Sequence, residues 1–184
     1  MPERTLRCAV EDLGVWYPRL FLEPHSVACV AVMNRYSGPP AMFQVACEGF
    51  SSRWLGQDNA FRLEVSWAAQ TAAKASRLLA TMQQKPVVEL ASVALAFILA
   101  RRLLALGQLD LNDYGERADY RSLSAECVLE VSGTEDISEL GRRHREKLAQ
   151  ALNNTYGWGA CVVVCAFSAK GHRIRVSRHG PSEA

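Results

Sequence analysis

Apolar positions in the last third of the chain switch from a spacing of two residues to a helical spacing and back. Residues 116–121 and 126–131 are predicted as the two strands of a hairpin, and residues 137–152 as the helix that follows. Residues 160–167 form an almost continuous apolar run, which is typical of a strand buried on both faces. Residues 172–178 alternate and are predicted as an edge strand. Because a helix separates the strands at 126–131 and 160–167, we expect these two to be parallel neighbours in a mixed sheet.

Earlier segments combine β-rich runs with a helical pattern. Residues 26–36 and 41–50 are predicted as a β-hairpin, and residues 61–66, in which apolar side chains alternate, as a third strand. Alanine and leucine recur at helical spacing over residues 67–84, which predicts a helix. We therefore expect a β-rich N-terminal layer over residues 1–66.

A second helix is predicted over residues 86–106. Pro86 suits its first turn, where the missing N–H would have no partner in any case, and Gly107 suits its C-terminal end. The most apolar part, residues 87–100, has 14 residues and contains Glu89, whereas a membrane span needs about 20 apolar residues. This pattern predicts a buried core helix and no integral membrane association.

Length and composition are those of a globular domain. The chain has 184 residues, of which 49% are hydrophobic and 22% charged. We predict a single domain over residues 1–184 with an α/β (α+β) fold, in which helices flank a mixed β-sheet. Residues 67–184 are expected to hold the helices and the core.

Six cysteines occur without any C-x-x-C pair. The first residues show no positively charged segment leading into an apolar run, so no signal peptide is predicted. Cysteines scattered through apolar stretches in such a chain favour reduced, buried thiols and a cytoplasmic location. They are Cys8, Cys29, Cys47, Cys127, Cys161 and Cys165.

Charge is unevenly distributed, although the formal net charge is only +2. Residues 1–109 carry 11 basic and 8 acidic side chains, residues 110–136 carry 2 and 8, and residues 137–184 carry 8 and 3. An acidic block followed by a basic one is compatible with a carboxylate metal site beside a phosphate-binding surface. Two ordinary solvated faces would give the same distribution.

Two acidic residues fall on the predicted hairpin. Asp119 lies in the first strand and Glu130 in the second, so pairing of the strands can place their carboxylates side by side. Converging carboxylates suit Mg²⁺ or Mn²⁺, because hard cations prefer oxygen ligands. The alternative is a structural ion pair with Arg117, Arg121 or an arginine of the next helix. Because Glu130 is a charged residue within an apolar run, it needs either a metal ion or a basic side chain as its partner.

At these residues the chain resembles the PD-(D/E)xK, or restriction-endonuclease-like, nuclease superfamily, over roughly residues 86–178. The family core runs α-β-β-β-α-β, with an acidic residue on one strand and E-x-K on the next. Asp119 matches the acidic position and Glu130 the glutamate of E-x-K, but Ser132 stands where the family has lysine. The resemblance implies that a cation from the following helix replaces it. Lys147 and Arg143 are the candidates.

Both candidates lie off the stripe formed by Leu140 and Leu148. The alternative interpretation of Lys147 is a solvated helix charge paired with Glu146 or another neighbour. The family also implies a role for Glu89, as the extra helical carboxylate that some members use.

The resemblance implies metal-dependent hydrolysis of phosphodiester bonds in nucleic acid. Asp119 and Glu130 would hold Mg²⁺ or Mn²⁺, and Lys147 would complete the catalytic set. Nucleic acid would be the partner, contacted through five arginines. They are Arg142, Arg143, Arg145, Arg173 and Arg175.

A second hypothesis keeps the same core without catalysis. Because the motif lysine is absent, the chain could instead be an inactive nuclease-like module that acts in nucleic-acid binding or in protein assembly. Its apolar helix and N-terminal strands would then build a homo-oligomer or bind a protein partner.

Overall fold

The computed structural model describes residues 4–50, 59–112 and 118–181. Within these ranges eight strands and five helices alternate along the chain, and a 3₁₀ turn precedes the last helix. In chain order they are β1 (Thr5–Ala9), α1 (Asp12–Trp16), α2 (Glu23–Met33), β2 (Ala41–Glu48), β3 (Ala60–Ser66), α3 (Ala69–Thr81), α4 (Gln84–Arg102), β4 (Asp110–Leu111), β5 (Tyr120–Ser122), β6 (Cys127–Thr134), the turn Ile137–Glu139, α5 (Leu140–Leu152), β7 (Gly159–Ala166) and β8 (His172–His179).

The strands form one mixed sheet in the order β1-β3-β2-β8-β7-β6-β5-β4. β5 and β6 pair in antiparallel fashion, and β6 and β7 are parallel neighbours joined through α5, as predicted. A mixed α/β fold with helices flanking the sheet is therefore confirmed. β2 pairs with β8, so the sheet runs without interruption from the N-terminal strands into the rest of the chain.

Helices cover the two faces of the sheet unequally. One face shares a large apolar core with the first four helices, and α4 contacts β6 and β7 there. α5 covers the opposite face of β6 and β7, where Val128, Val162 and Val164 pack with Leu148 and Ala151. On β2 every second side chain is exposed on this opposite face. The described helices thus leave β2 uncovered on one side, which we call the open face.

Burial of α4 confirms the prediction of a core helix. Leu95, Ile98 and Leu99 are all fully buried. The helix ends at Arg102 rather than at Gly107, because the backbone of Ala105 turns into the left-handed region at φ 56°. None of the helices in the described ranges is long and apolar enough to cross a membrane.

The prediction of a hairpin over residues 26–36 and 41–50 is half wrong. β2 is a strand, but residues 26–33 lie in α2 and are all buried. A short apolar run suits a buried helix and a buried strand equally well, because burial on all sides removes the periodicity that separates them. The signal that distinguishes the helix is Pro24 in its first turn. Pro86 holds the same kind of position in the first turn of α4.

Two strand predictions need correction near the site. β8 is not an edge strand, because it lies between β2 and β7; it alternates because α5 covers only part of its polar face. The predicted strand at 116–121 is shorter and later, since β5 covers Tyr120–Ser122. Residues 116 and 117, and with them the candidate ion-pair partner Arg117, lie outside the described residues.

Candidate active site

The β5–β6 hairpin brings Asp119 to Glu130. Tyr120 lies opposite Leu129, so the register places Asp119 opposite Glu130 one position further on. Asp119 Oδ2 accepts a hydrogen bond of 2.9 Å from the backbone N–H of Val131. This bond uses a β6 donor beyond the end of β5 and anchors the carboxylate against the strand. Asp119 is exposed, so the pair opens to solvent at this end.

Glu130 is the buried member of the pair. It lies in the middle of β6 on the α5 side and is fully inaccessible to solvent. Its Oε2 accepts a 2.6 Å hydrogen bond from Lys147 Nζ. Lys147 therefore does not pair with Glu146, which instead bonds Arg142. Among the described residues, the ion-pair partner of Glu130 is this lysine.

The geometry of α5 explains why Lys147 reaches the sheet. At 100° per residue, Lys147 lies only about 20° from the direction of Leu140. It therefore belongs to the edge of the packed face, and placing it off the Leu140–Leu148 stripe was wrong. The long aliphatic stem lets the ammonium extend from that edge to Glu130.

Arg143 lies one turn earlier on the same edge of α5. Its Nη1 donates to Ser132 Oγ at 3.3 Å and to the carbonyl oxygen of Gly133 at 3.1 Å. The helix thus directs two cations toward β6. Lys147 alone bonds Glu130, while Arg143 holds the end of the strand.

A third carboxylate approaches from the other face of the sheet. Glu89 Oε2, on α4, accepts a 3.0 Å hydrogen bond from the N–H of Gly133. The two helices can meet this strand closely because Gly133 has no side chain. A Cβ atom there would lie 2.3 Å from Ser92 Oγ and 2.7 Å from the Val88 carbonyl oxygen. Glu89 and Asp119 are therefore both anchored on β6 backbone N–H groups.

Burial and neighbouring charge control the ionisation of this cluster. Burial, followed by the charge of Asp119, raises the pKa of Glu130 to about 8, against the opposing effect of Lys147. Burial also raises the pKa of Glu89. Burial lowers the pKa of Lys147, but its contact with Glu130 and the charges of Asp119 and Glu89 outweigh this, so the pKa is raised. A proton and a cation therefore compete for Glu130 near neutral pH.

The donor set fits a hard divalent cation. Glu130 Oε1 is buried and finds no hydrogen-bond donor among the described residues, and the charge of Asp119 also acts on this carboxyl group. Across the described ranges no group of three or more His, Cys, Asp or Glu side chains is arranged to hold a metal ion. Mg²⁺ is commonly bound by only one or two carboxylates, with water and substrate phosphate filling its other positions.

The five predicted nucleic-acid-binding arginines do not share one surface. Arg143 belongs to the site, whereas Arg142 is neutralised by Glu139 and Glu146. Arg175 pairs with Glu48 at 2.9 Å and lies with Arg145 near Gly141, on the side of α5 that faces β8. Arg173 is exposed on the open face.

The buried cysteines and the histidines of α5 and β8 lie outside this site. All six cysteines are free and buried, as predicted. His172 and His179 lie at opposite ends of β8, so they do not form a joint site. His144 is a core histidine, as its position on the apolar stripe suggests: it is buried and shares a 2.9 Å hydrogen bond with Ser177 Oγ.

His144 predicts an acid-sensitive fold. Burial, followed by the charge of Arg175, lowers the pKa of His144 to about 4. Between pH 4 and 6.5 the unfolded chain therefore binds a proton that the folded chain rejects, and stability falls as the pH is lowered through this window, by up to about 3 kcal/mol. Thermal melts of wild type and His144→Gln over this range check the effect. The variant should have a shallower slope, because His25 and His172, whose pKa values burial also lowers, still contribute. A His179→Gln control should keep the wild-type slope, and identical slopes in all three would contradict the assignment.

Comparisons with known proteins add no family to this geometry. No family model, no curated protein and no solved structure matches the chain. The function is therefore inferred from the site itself.

Proposed function

We propose that the chain is a metal-dependent nuclease that hydrolyses phosphodiester bonds in nucleic acid. The observation that carries the proposal is the convergence of Asp119 just before β5, Glu130 on β6 and Lys147 on α5. Two carboxylates and an ammonium brought together in this way are what this reaction requires. Nothing in the packing of the core requires a fully buried glutamate at position 130.

The order of elements supports the same proposal. α4, β4, β5, β6, α5 and β7 follow one another as helix, three antiparallel-paired strands, helix and a strand parallel to β6. This is the α-β-β-β-α-β order of the PD-(D/E)xK superfamily. In that interpretation Lys147 replaces the missing lysine of E-x-K from the helix, and Glu89 is the additional helical carboxylate.

Each residue has a role that follows from its position. Asp119 and Glu130 would hold Mg²⁺ or Mn²⁺, which when bound would supply positive charge to the scissile phosphate and lower the pKa of a water molecule. Lys147, 2.6 Å from Glu130, presents a fixed cation to charge that develops on the phosphate. Glu89 and Arg143 hold the end of β6, and Glu89 adds negative charge that favours cation binding.

Metal binding should be visible as a gain in stability. A ligand that binds only the folded chain stabilises it by RT ln(1 + [L]/Kd), so Mn²⁺ at 100 times its Kd adds about 2.7 kcal/mol. For a chain of this size we expect a rise in melting temperature of roughly 5–11 °C. The rise should be larger at pH 8.5 than at pH 6, because the proton on Glu130 competes with the ion.

Glu130→Gln separates this site from adventitious binding. The amide removes a ligand and keeps the shape, so the variant should lose the Mn²⁺ response, whereas the exposed Glu146→Gln control should retain it. A Mn²⁺ response that survives in Glu130→Gln would place the ion elsewhere. The absence of any response in wild type would leave Glu130 and Lys147 as a structural ion pair.

That structural ion pair is the basis of the alternative function. A buried carboxylate already paired with Lys147 can stabilise an inactive core that serves nucleic-acid binding or protein assembly. The two functions differ in the melts. The inactive module predicts no metal response and a less stable Glu130→Gln variant whose Lys147 has lost its partner.

A further inference from the structure

A cleft of about 260 Å³ lies on the open face, where β2 and β8 begin. Polar side chains from three strands and from the β7–β8 loop line it. They are Gln44, Arg62, Lys170 and Arg173.

The charge of the cleft is one-sided. Three of its lining residues are basic and none is acidic. The ammonium of Lys170 and the guanidinium of Arg173 form no ion pair with a described residue, whereas elsewhere on this face Arg7 pairs with Glu64 and Arg175 with Glu48. The fold therefore neutralises basic residues around the cleft and leaves these two uncompensated within it.

Strand register fixes the arrangement of the donors. Gln44 lies opposite Arg62 on one side and opposite Arg173 on the other. Neighbouring side chains on one face have Cβ atoms about 5 Å apart, so two guanidinium groups flank one amide in a row across the sheet. Several N–H donors with positive charge in such a row suit a phosphate group, which accepts charge-assisted hydrogen bonds on several oxygens.

The loop that carries Lys170 is held in place. Ser168 accepts hydrogen bonds of 3.1 Å from the N–H of Lys170, at Oγ, and from that of Gly171, at its carbonyl oxygen. The N–H of Ser168 itself donates to His172 Nδ1 at 3.4 Å, and the His172 ring packs 4.9 Å from Phe43. Because the backbone is fixed, a ligand has only to order the Lys170 side chain.

We propose that this cleft binds a backbone phosphate of the nucleic-acid strand, on the far side of α5 from Glu130. The choice of nucleic acid as the polyanion rests on the proposed function. Arg173 pairs with Ala166, which pairs with Thr134, so it lies two strands across and four residues along from Glu130. That is roughly 10 Å by 13 Å, or about 16 Å in all.

Basic residues continue from the cleft toward the site. Arg145 and Arg175 come together near Gly141, at the start of α5. Arg175 is paired with Glu48, so the exposed Arg145 is the cation that a strand would contact there. A single free phosphate would need only the cleft. A strand that passes over the start of α5 would use both regions, which is why we assign the cleft to a polymer.

Binding without metal tests this inference separately from catalysis. We would measure fluorescence anisotropy of labelled single-stranded and duplex oligonucleotides in EDTA, for wild type and for Lys170→Gln/Arg173→Gln. The matched control is Arg77→Gln/Lys85→Gln, which removes two exposed charges from the helical side. Loss of the two cations that contact this phosphate should weaken binding about 10- to 100-fold. It should also reduce the slope of log K against log salt by about 0.7 for single strands and about 0.9 for duplex.

The outcomes separate the two proposals. A wild type that does not bind, or a control that loses as much affinity as the cleft variant, overturns the cleft assignment. The assignment is also overturned if the cleft substitutions leave oligonucleotide affinity unchanged, while inorganic phosphate binds the wild type and not the variant. If binding depends on the cleft but the protein cleaves no substrate, the nuclease proposal is contradicted and the cleft assignment stands.

Discussion

Replacing Lys147 by methionine is expected to slow metal-dependent cleavage by about 10²- to 10³-fold. Removing one preorganised group that stabilises charge in the transition state lowers kcat by a factor of this size. Methionine keeps the aliphatic stem that packs at the edge of α5 and deletes only the ammonium 2.6 Å from Glu130. Initial rates on a labelled oligonucleotide, with Mn²⁺ in excess, measure the effect.

The fold should survive this substitution. A buried carboxylate that loses its partner normally costs 3–5 kcal/mol, but burial already raises the pKa of Glu130 to about 8. Without Lys147 it stays protonated at pH 7, and the loss of stability should be smaller, about 1–3 kcal/mol. Arg142→Met on the same helix is the matched control, since Arg142 contacts only surface glutamates. Full activity in Lys147→Met would show that another group supplies the cation.

Gly133→Ala is expected to give the largest loss of stability among single-methyl changes in β6, about 3 kcal/mol, or a fall in melting temperature of roughly 6–12 °C. The added Cβ would lie 2.7 Å from the Val88 carbonyl oxygen, which belongs to the backbone of α4 and cannot rotate away. Either the helix shifts from the strand or the strand bends. Both movements displace the N–H that holds Glu89, so the Mn²⁺ response should weaken as well.

Gly141→Ala provides a control of opposite sign. Its Cβ would meet only side-chain atoms, the closest being Arg145 Nη1 at 3.7 Å, which is an ordinary contact. Because alanine is the better helix former, this change should stabilise α5 by up to about 1 kcal/mol. Thermal melts of the two variants check both signs. A Gly133→Ala variant as stable as wild type would mean that α4 does not rest against β6.

Periodicity was sufficient to predict the part of the fold that positions the site. The alternation around Glu130, the helical stripe through Leu148 and the long apolar strand at 160–167 each carry a distinct spacing, and the three together require a parallel unit. The pairing of Asp119 with Glu130 followed from the hairpin alone. These features depend on local pattern, which a sequence records directly.

Features that depend on tertiary covering were less predictable. α2 is apolar on every side because other elements enclose it, so no stripe distinguished it from a strand. β8 alternates like an edge strand, yet β2 docks beside it across more than 120 residues of chain. Alternation of polar and apolar residues indicates which face of a strand meets solvent. It does not indicate which strand pairs beside it.

Two contacts of the candidate site needed the structure for a different reason. Lys147 reaches Glu130 because of a 20° offset on a helix and a flexible stem, which residue spacing describes only coarsely. Glu89 reaches Gly133 from the opposite face of the sheet. The available signal was Gly133 itself, a glycine inside an apolar strand, which indicates close approach of another backbone.

Cleavage by the intact chain is the most direct test of the central claim. Labelled single- and double-stranded DNA and RNA would be incubated with wild type and Glu130→Gln, each with millimolar Mn²⁺ or Mg²⁺ and each with EDTA. The site predicts products only for wild type with metal, with rates that rise as the pH passes 8 and Glu130 loses its proton. No cleavage of any substrate by wild type, or equal cleavage by Glu130→Gln, would contradict it.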